Sequence, residues 1–471
     1  MATYLSRTPS TLVAAERRKF TYSCWFKFGN TPGSAEQHFI YASGSSNTYV
    51  RINTNGTIRF RLYDAPQDFQ LDTTTVYRDP SSWYHLVLQL NTPDSSSTER
   101  VKIYINGEQQ TVSGTYPTQD YSGWINNTSN QEIPASGDGS CYMAEIHMCA
   151  NQTYAPTTFG ETDSTTGEWK PKNVSGVSYG TNGFYLKFAN SGAMGTDSSG
   201  NGNTWTVNSA GTNPQTVDTP SNNFATLNPV ANVTYAQGTI NTGSLKFSSV
   251  AVGYSYRYAT IGVATGKWYW EVKAVSYVSG TDPFMIGITS TESTGQSYEL
   301  GASANDWAYT EDGNKYTSGS GTAYGSTYTS GDVIGVAMDL DNLKLYFSKN
   351  GVWQNSGVPT SGSTGTGALP IVAVASTGLK NYFPAVADWD NAGGSVLETN
   401  FGNPSFSISS GNADANGHGN FEYAVPSGYY SLCTKNLNTY GLIYGLFNNQ
   451  RPFSTFSNSY IYRQWFNSIH Y

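Results

Sequence analysis

The 471 residues carry 25 Lys and Arg against 33 Asp and Glu, a formal net charge of −8, with no basic run longer than Arg17-Arg18-Lys19. That excludes a nucleic-acid binder, which needs a cationic stripe to displace counterions from phosphate. Charged residues are only 12% and aromatics reach 14%, with 35 Tyr and 49 Gly, so periodic runs of helix formers give way to a β-rich, turn-rich composition.

In chain order, the first strand signals are Thr21 to Phe28, then Tyr49 to Ile52 and Thr57 to Leu62 around Asn55-Gly56. Asn-Gly between alternating runs predicts a hairpin, because both turn positions favour φ > 0. Trp83 to Leu90 and Val101 to Ile105 follow, the latter ending in Asn106-Gly107, and then Cys141 to Cys149 and Gly183 to Phe188. The alternation predicts sheets with one buried and one wet face, and two such sheets must cover each other as a sandwich. Asp197 to Asn203 is a dense turn cluster, and the Pro-containing stretch 211–229 has no periodicity and is placed as a linker.

A second block carries Trp268 to Val272, Phe284 to Ile288, Asp332 to Leu340 and Leu343 to Ser348, with an Asn350-Gly351 turn. Tyr316 to Thr329, rich in Gly, Ser and Tyr, is expected to be an exposed loop or ribbon, and Leu369 to Ala375 a buried strand. The expected fold class is all-β, two consecutive antiparallel β-sandwiches: a first domain at 1–210, the linker, a second domain at 230–435 and an aromatic tail at 436–471. The tail holds Arg451 and Arg463 but no Asp or Glu. It is too short for its own core, so its aromatics are expected to dock elsewhere.

No apolar run approaches the ~20 residues that span a bilayer, and no apolar h-region marks a secretory signal. Four cysteines are present. Cys141 and Cys149 on one strand would lie roughly 26 Å apart, too far for a disulfide, and there is no C-x-x-C. The cysteines read as buried hydrophobes of a protein assembled in a reducing cytoplasm.

Gly266-Lys267-Trp268-Tyr269-Trp270-Glu271-Val272, Asn305-Asp306-Trp307-Ala308-Tyr309, Gly331 to Asp341, Leu345 to Gly351 and Asn400-Phe401-Gly402 resemble the SPRY domain in order and spacing. The resemblance implies a bent two-sheet sandwich whose loops bind partners, usually proteins, without catalysis. Phe20 to Lys27, Trp83 to Val87 with Lys102 to Gly107, and Asp197 to Asn203 resemble the laminin-G/concanavalin-like jelly roll. Arg7-Thr8-Pro9-Ser10, Gly180 to Phe188 and Asp218 to Pro229 look like segments of structural proteins of tailed bacteriophages, especially marine ones. That resemblance alone implies a virion protein assembled in the host cytoplasm; the tail from about Asn438 departs from the pattern.

Concanavalin-like folds include glycosidases, which need paired carboxylates about 5.5 Å apart. The first domain offers only isolated acids: Glu145 within a strand, Glu99 and Glu108 at different turns, Asp64 and Asp68 around Pro66. None of the five histidines sits in a nucleophile context, and His85 and His147 read as structural. Catalytic residues are therefore expected to be absent. Laminin-G-like domains often bind calcium at a rim, which makes Asp197, Asp163 and Asp138 candidate ligands; the alternative for Asp197 is a turn cap. No other cofactor is expected. Trp25, Trp83, Trp268 and Trp270 read as core, whereas Trp307, Tyr309, Tyr324, Tyr328 and Trp389 in or beside loops are the candidate ligand-binding aromatics. Phe447, Arg451, Phe453, Tyr462, Arg463 and Trp465 are the candidate attachment residues of the tail.

The expected function is that of a non-enzymatic phage surface protein, a tail or capsid appendage or fibre adhering to a host glycan or envelope protein. With no domain expected before the first sandwich, a short appendage is favoured. Other virion proteins and further copies of the chain are the expected partners, with neither nucleic acid nor membrane. The alternatives are a decoration (cement) protein that touches only virion proteins and a polysaccharide depolymerase.

Overall fold

Along Ile58–Asp64 the alternation acts as expected: Ile58, Phe60 and Leu62 are buried, while Arg59, Arg61 and Tyr63 keep access to solvent. The computed structural model describes residues 3–441 apart from 45–46, 139–140, 165–166, 209–214, 231–237, 251–252, 278–283, 292–298 and 391–393. The chain divides into two compact units between Gln215 and Thr216. Both are antiparallel β-sandwiches, so the all-β fold class holds.

In the first unit an eight-stranded sheet runs from edge to edge as Val112–Gly114, Gln67–Thr73, Ile58–Asp64, Asn47–Ile52, Gln37–Ser43, Gln131–Ile133, Tyr4–Arg7 and Thr206–Asn208. The opposing six-stranded sheet runs as Phe184–Leu186, Cys141–Ala150, Lys19–Phe28, Tyr84–Asn91, Val101–Ile105 and Glu108–Gln109. Phe20, Tyr22, Phe26, Leu86 and Leu88 of the second sheet meet Phe39, Val50, Phe60 and Leu62 of the first in one core. At ~1.5–3 kcal/mol per large buried side chain, this contact is the main stabilising term of the unit.

The expectation of a wet outer face fails on the six-stranded sheet. In Lys19–Phe28 every residue after Lys19 is buried. Trp25, Trp83 and Tyr142 lie under Trp169, and Val87 and Cys149 lie under Phe159 with Tyr154, Val174 and Tyr179 around them. A chain segment between Asn151 and Asn182, including the ribbon Gly160–Thr162 with Trp169–Pro171, thus forms a third layer. Gly160 permits it: a Cβ there would stand 2.6 Å from the Trp169 ring.

The Asn-Gly signals resolve unequally. Asn106 and Gly107 have φ of 50° and 86°, and Asn350 and Gly351 have 48° and 79°, the doubly positive pattern of a tight hairpin. At Asn55-Gly56 only Gly56 is positive, at 84°. Cys141–Ala150 is one strand as predicted, with a register shift between Ala144 and His147 and Glu145 at φ 48°. All four cysteines are free thiols.

In the second unit one sheet contains Thr239–Asn241, Lys246–Ser248, Val396–Asn400, Lys267–Ser276, Val333–Asp339, Lys344–Lys349 and Val352–Trp353 in that order. The other runs as Gly253–Tyr258, Phe383–Asp390, Phe284–Thr289, Asp306–Thr310, Asn314–Thr317 and Ser320–Ala323. Trp268, Trp270, Val336 and Met338 face Phe284, Ile286, Trp307 and Val386 across the core. The C-terminal stretch covers the back of the first of these sheets, where Phe421 and Tyr429 join Tyr269, Ala337 and Tyr346. Buried Glu271 fastens it: its carboxylate accepts from Glu422 N at 2.9 Å and Tyr423 N at 2.8 Å.

Three expected boundaries shift. The linker placed at 211–229 is in large part woven into the second unit: Ala225 and Leu227 are core, and Ala225 N donates to Leu432 O at 2.9 Å. Its polar residues cap and bridge, as where Asn222 Oδ1 accepts from Lys435 N, which is why they lack periodicity. The tail placed at 436–471 loses its first residues to the helix Thr434–Tyr440, where Asn436 is fully buried. The predicted strand Leu369 to Ala375 shrinks to Leu369–Pro370, followed by exposed Val372 and a 3-10 turn at Val374–Ser376. The pairing ends where Ile371 N donates to Leu343 O at 3.1 Å, because Leu343, at φ 57°, has left strand geometry on the partner side.

Candidate binding surfaces

The nearest approach to a hydrolytic arrangement lies between the six-stranded sheet and its third layer. Lys19–Phe28 brings Ser23 opposite Val87, and Ser23 Oγ lies 2.8 Å from His85 Nε2. The indole Nε1 of Trp169, which can only donate, gives its proton to His85 Nδ1 at 3.0 Å. His85 Nδ1 is therefore the acceptor and Nε2 carries the hydrogen, so the imidazole donates to Ser23 rather than accepting from it. A base for Ser23 would need the opposite tautomer. Burial, with a smaller contribution from His147, pulls His85 down to about 3, and Trp25 stacks on it at 4.6 Å. His147 is held likewise, with Nδ1 2.9 Å from Tyr179 Oη and its ring 4.0 Å from that of Tyr185, and burial takes it to about 3. Both histidines are structural pins for the third layer.

The candidate calcium ligands are not brought together. Asp197 accepts from Tyr185 N and Ser199 N at 2.9 Å and from Asn203 N at 2.8 Å, which is the turn-cap alternative. Asp163 holds Lys170 Nζ at 2.7 Å, and Asp138 holds His38 Nδ1 at 3.0 Å. Among the described residues no group of three or more His, Cys, Asp or Glu is gathered to hold a metal ion.

Four of the five loop aromatics are core residues. Trp307, Tyr309, Tyr324 and Tyr328 are buried in the second unit. Tyr324 and Tyr328 leave the exposed hairpin Asn314–Thr317 and Ser320–Ala323 and turn inward, where Tyr328 Oη donates to Phe284 O at 2.9 Å. The low-complexity stretch disguised this: its Gly and Ser residues form the exposed ribbon, while its last tyrosines plug the sandwich. Only Trp389 stays half-exposed, stacked 5.1 Å from Tyr254. Phe447, Arg451, Phe453, Tyr462, Arg463 and Trp465 lie outside the described residues.

A surface that sequence reasoning missed is the outer face of the eight-stranded sheet. Its register builds three rungs across the strands. One is Glu132, Tyr41, Tyr49, Arg61 and Gln70; the next is His38, Arg51, Arg59 and Asp72; the third is Ser43, Asn47, Tyr63 and Asp68. The first spans about 19 Å at ~4.8 Å per strand. Arg59 binds Asp72 through two bonds, at 2.8 and 3.0 Å, and Arg61 binds Asp68 through two at 2.7 Å. The Arg61 hydrogen bonds, aided by its charge, hold Asp68 below its ordinary carboxylate value. Arg51, paired with Glu36, lies 4.8 Å over the Tyr49 ring, and Tyr41 stacks beside Tyr49 at 6.3 Å. The cue was present: alternate positions of Asn47–Ile52, Ile58–Asp64 and Gln67–Thr73 carry planar polar side chains.

With both sandwiches and their polar sites described, the comparisons divide along the same line. Residues 3–148 match the concanavalin A-like lectin/glucanases superfamily, and residues 267–385 match the SPRY domain. The chain carries a concanavalin A-like domain followed by a SPRY domain. The SPRY domain is similar to Ran-binding protein 9 of Homo sapiens, 38% identical over 94 residues that cover 19% of this chain and 12% of the relative. Ran-binding protein 10 of Danio rerio is 38% identical over 94 residues, 19% of this chain and 15% of the relative. The chain thus spans about 15% of the length of the first curated relatives it matches. Among solved structures, the SPRY domain of human HERC1 shares 19% identity at a TM-score of 0.26, covering 33% of this chain and 87% of that one.

Proposed function

We propose that this chain is a non-enzymatic recognition protein displayed on a bacteriophage particle, in a tail or capsid appendage that adheres to the host surface. The observation that carries the non-catalytic reading is the Ser23, His85 and Trp169 arrangement, whose tautomer runs against catalysis. Buried acids serve the fold: Glu271 ties down the C-terminal stretch, and Asp414 accepts from Ser431, His418 and Asn436. The SPRY domain supports a protein partner, since the relatives it resembles are named for binding the protein Ran. The virion setting rests on the phage-like segments Arg7 to Ser10, Gly180 to Phe188 and Asp218 to Pro229. In this reading the acid-poor aromatic segment after Gly441 attaches the chain to other virion proteins.

Labelling of purified particles with an antibody against this chain tests the proposal. Signal on projecting appendages is expected. Signal spread flat over the capsid supports a decoration protein instead, and particles without signal overturn both. Truncation after Gly441 is expected to abolish incorporation while leaving the fold intact. A reducing-end assay on host polysaccharide addresses the depolymerase, and released ends would overturn the non-enzymatic reading.

A further inference from the structure

The outer strand of an open sheet carries one row of unpaired N–H and C=O groups, and proteins blunt such edges with charge, proline, bulges or shortness. Two edges of this chain follow that rule. Glu108–Gln109 is two residues long and carries a carboxylate, and Val352–Trp353 is two residues long and runs into the 3-10 turn Gln354–Ser356. Ser320–Ala323, which ends the six-stranded sheet of the second unit, is built differently. All four of its residues are exposed, and Ser-Gly-Thr-Ala brings no charge, proline or bulge.

The hairpin fixes which groups face outward. Ser318 and Gly319, at φ 53° and 71°, form a two-residue turn, so the flanking Thr317 and Ser320 share a doubly hydrogen-bonded pair. Such pairs recur at every second rung: Lys315 with Thr322, then Gly313 with Tyr324, whose N donates to Gly313 O at 3.0 Å. Gly321 and Ala323 therefore aim their backbone groups away from the sheet. Among the described residues, Ser320–Ala323 pairs only with Asn314–Thr317.

We propose that this edge pairs with the same edge of a second copy of the chain, antiparallel about a twofold axis at Thr322. Gly321 then stands opposite Ala323 of the second copy, and Ala323 opposite its Gly321. Four N–H···O=C bonds close, and no outward group of either residue is left over. The register is specific. Moving the axis to Gly321 would oppose Ala323 to Gly319, whose N–H is already given to Gly301 O at 3.0 Å. A contact that uses one patch on both copies is self-complementary, as twofold symmetry requires.

The side chains fit the same axis. Thr322 meets its own copy in a non-hydrogen-bonded pair, with Cα atoms about 4.5 Å apart and the two hydroxyls within reach of each other. On the other face a Cβ at Gly321 would lie 3.5 Å from the Tyr316 ring, so that ring overlies Gly321, beside the position of the second copy's Ala323 methyl. The two Lys315 side chains stand three strand spacings apart, roughly 14 Å, beyond the ~8 Å screening length of physiological salt. Four residues bury far less than the ~1,200 Å² of a stable complex, so the pairing is weak in dilute solution and strengthens where copies are held close. It holds whatever the chain adheres to.

Disulfide trapping of the concentrated full chain tests the register. At the axis, cysteines replacing Thr322 meet within disulfide reach, whereas those replacing Ser320 stand roughly 14 Å apart. Under copper phenanthroline, Thr322→Cys should form covalent dimer at least 10-fold faster than Ser320→Cys, with the wild type remaining monomeric. Adding Ala323→Pro removes one outward N–H and spares the hairpin ladder, and should slow trapping of Thr322→Cys at least 10-fold. Melting curves confirm that the variants are folded, and the comparison of the two cysteine variants stands even where proline unsettles the hairpin. Equal rates at the two positions, or no dimer from either, overturn the proposal. Trapping of Thr322→Cys only in particles, and onto a different virion protein, assigns the edge to that protein and overturns the pairing of copies.

Discussion

The indole nitrogen of Trp169 lies 3.0 Å from His85 Nδ1, and this bond sets the tautomer of a histidine whose other nitrogen touches a serine. Replacing Trp169 by Phe removes the donor and leaves a buried acceptor unpaired, at a cost of about 1–3 kcal/mol on top of lost packing. For a unit of this size that lowers the Tm by roughly 2–4 °C per kcal/mol. Nitrogen shifts of His85 should report a proton on Nε2 in the wild type, and a thermal melt of Trp169→Phe should show the loss.

Acid should loosen the same domain. His85 and His147 are held near 3, below the ordinary value of about 6.5. A depressed folded value means that the unfolded chain takes up the proton first. The stabilisation is therefore complete above about pH 6.5 and is lost as pH falls toward 3, at up to ~1.4 kcal/mol per pH unit for each histidine. Urea midpoints from pH 7 to pH 5 should fall for the wild type, and the fall should be shallower for His147→Gln.

In the second unit, Asp414 gathers the segment from Asn416 to Asn436. Its carboxylate accepts from Asn416 N and His418 N, and from Ser431 N, Ser431 Oγ and Asn436 Nδ2, the last at 2.7 Å. Burial raises its pKa, but these bonds outweigh burial and hold it below the ordinary value. Its contribution is thus present above about pH 4 and fades only as pH falls through the lower folded value. Asp414→Ala should cost on the order of 3 kcal/mol and expose residues 431–441 to limited proteolysis.

Burial separates the aromatics of the second unit. Tyr309 is fully buried against Tyr328 and Phe347, with ring centroids 5.3 and 5.5 Å away, so Tyr309→Ala should cost about 3–5 kcal/mol. Trp389→Ala, which removes a half-exposed ring, should cost clearly less. Denaturant midpoints of the two variants measure the difference directly.

The arginine pairs on the outer face of the eight-stranded sheet should contribute modestly to stability. Arg59 and Asp72 keep 24% and 22% of their side-chain exposure, so solvent reaches the pair and screens it only in part. A double-mutant cycle on this doubly bonded, partly buried pair should return about 1 kcal/mol.

Strand positions, tight hairpins and the two-domain order were legible because they depend on local rules. Period-two burial in Ile58–Asp64 and the doubly positive φ at Asn106-Gly107 follow from side-chain direction and turn sterics. The functional surfaces were not legible in the same way. Tyr324 and Tyr328 stood in a Gly- and Ser-rich stretch, and nothing local shows that Tyr328 turns inward onto Phe284 and Tyr309, or Tyr324 onto Tyr309.

By itself, then, the sequence determined the all-β class, the two sandwiches and the absence of a cationic stripe. Only the tertiary structure decided which faces stay open. Trp169, remote from Ser23 and His85 in the chain, closes one sheet by reaching across to His85. The register between Asn47–Ile52, Ile58–Asp64 and Gln67–Thr73 aligns Tyr49, Arg61 and Gln70 in one row on the other. Both depend on contacts between distant segments, whose cost and reward appear only when the chain has folded.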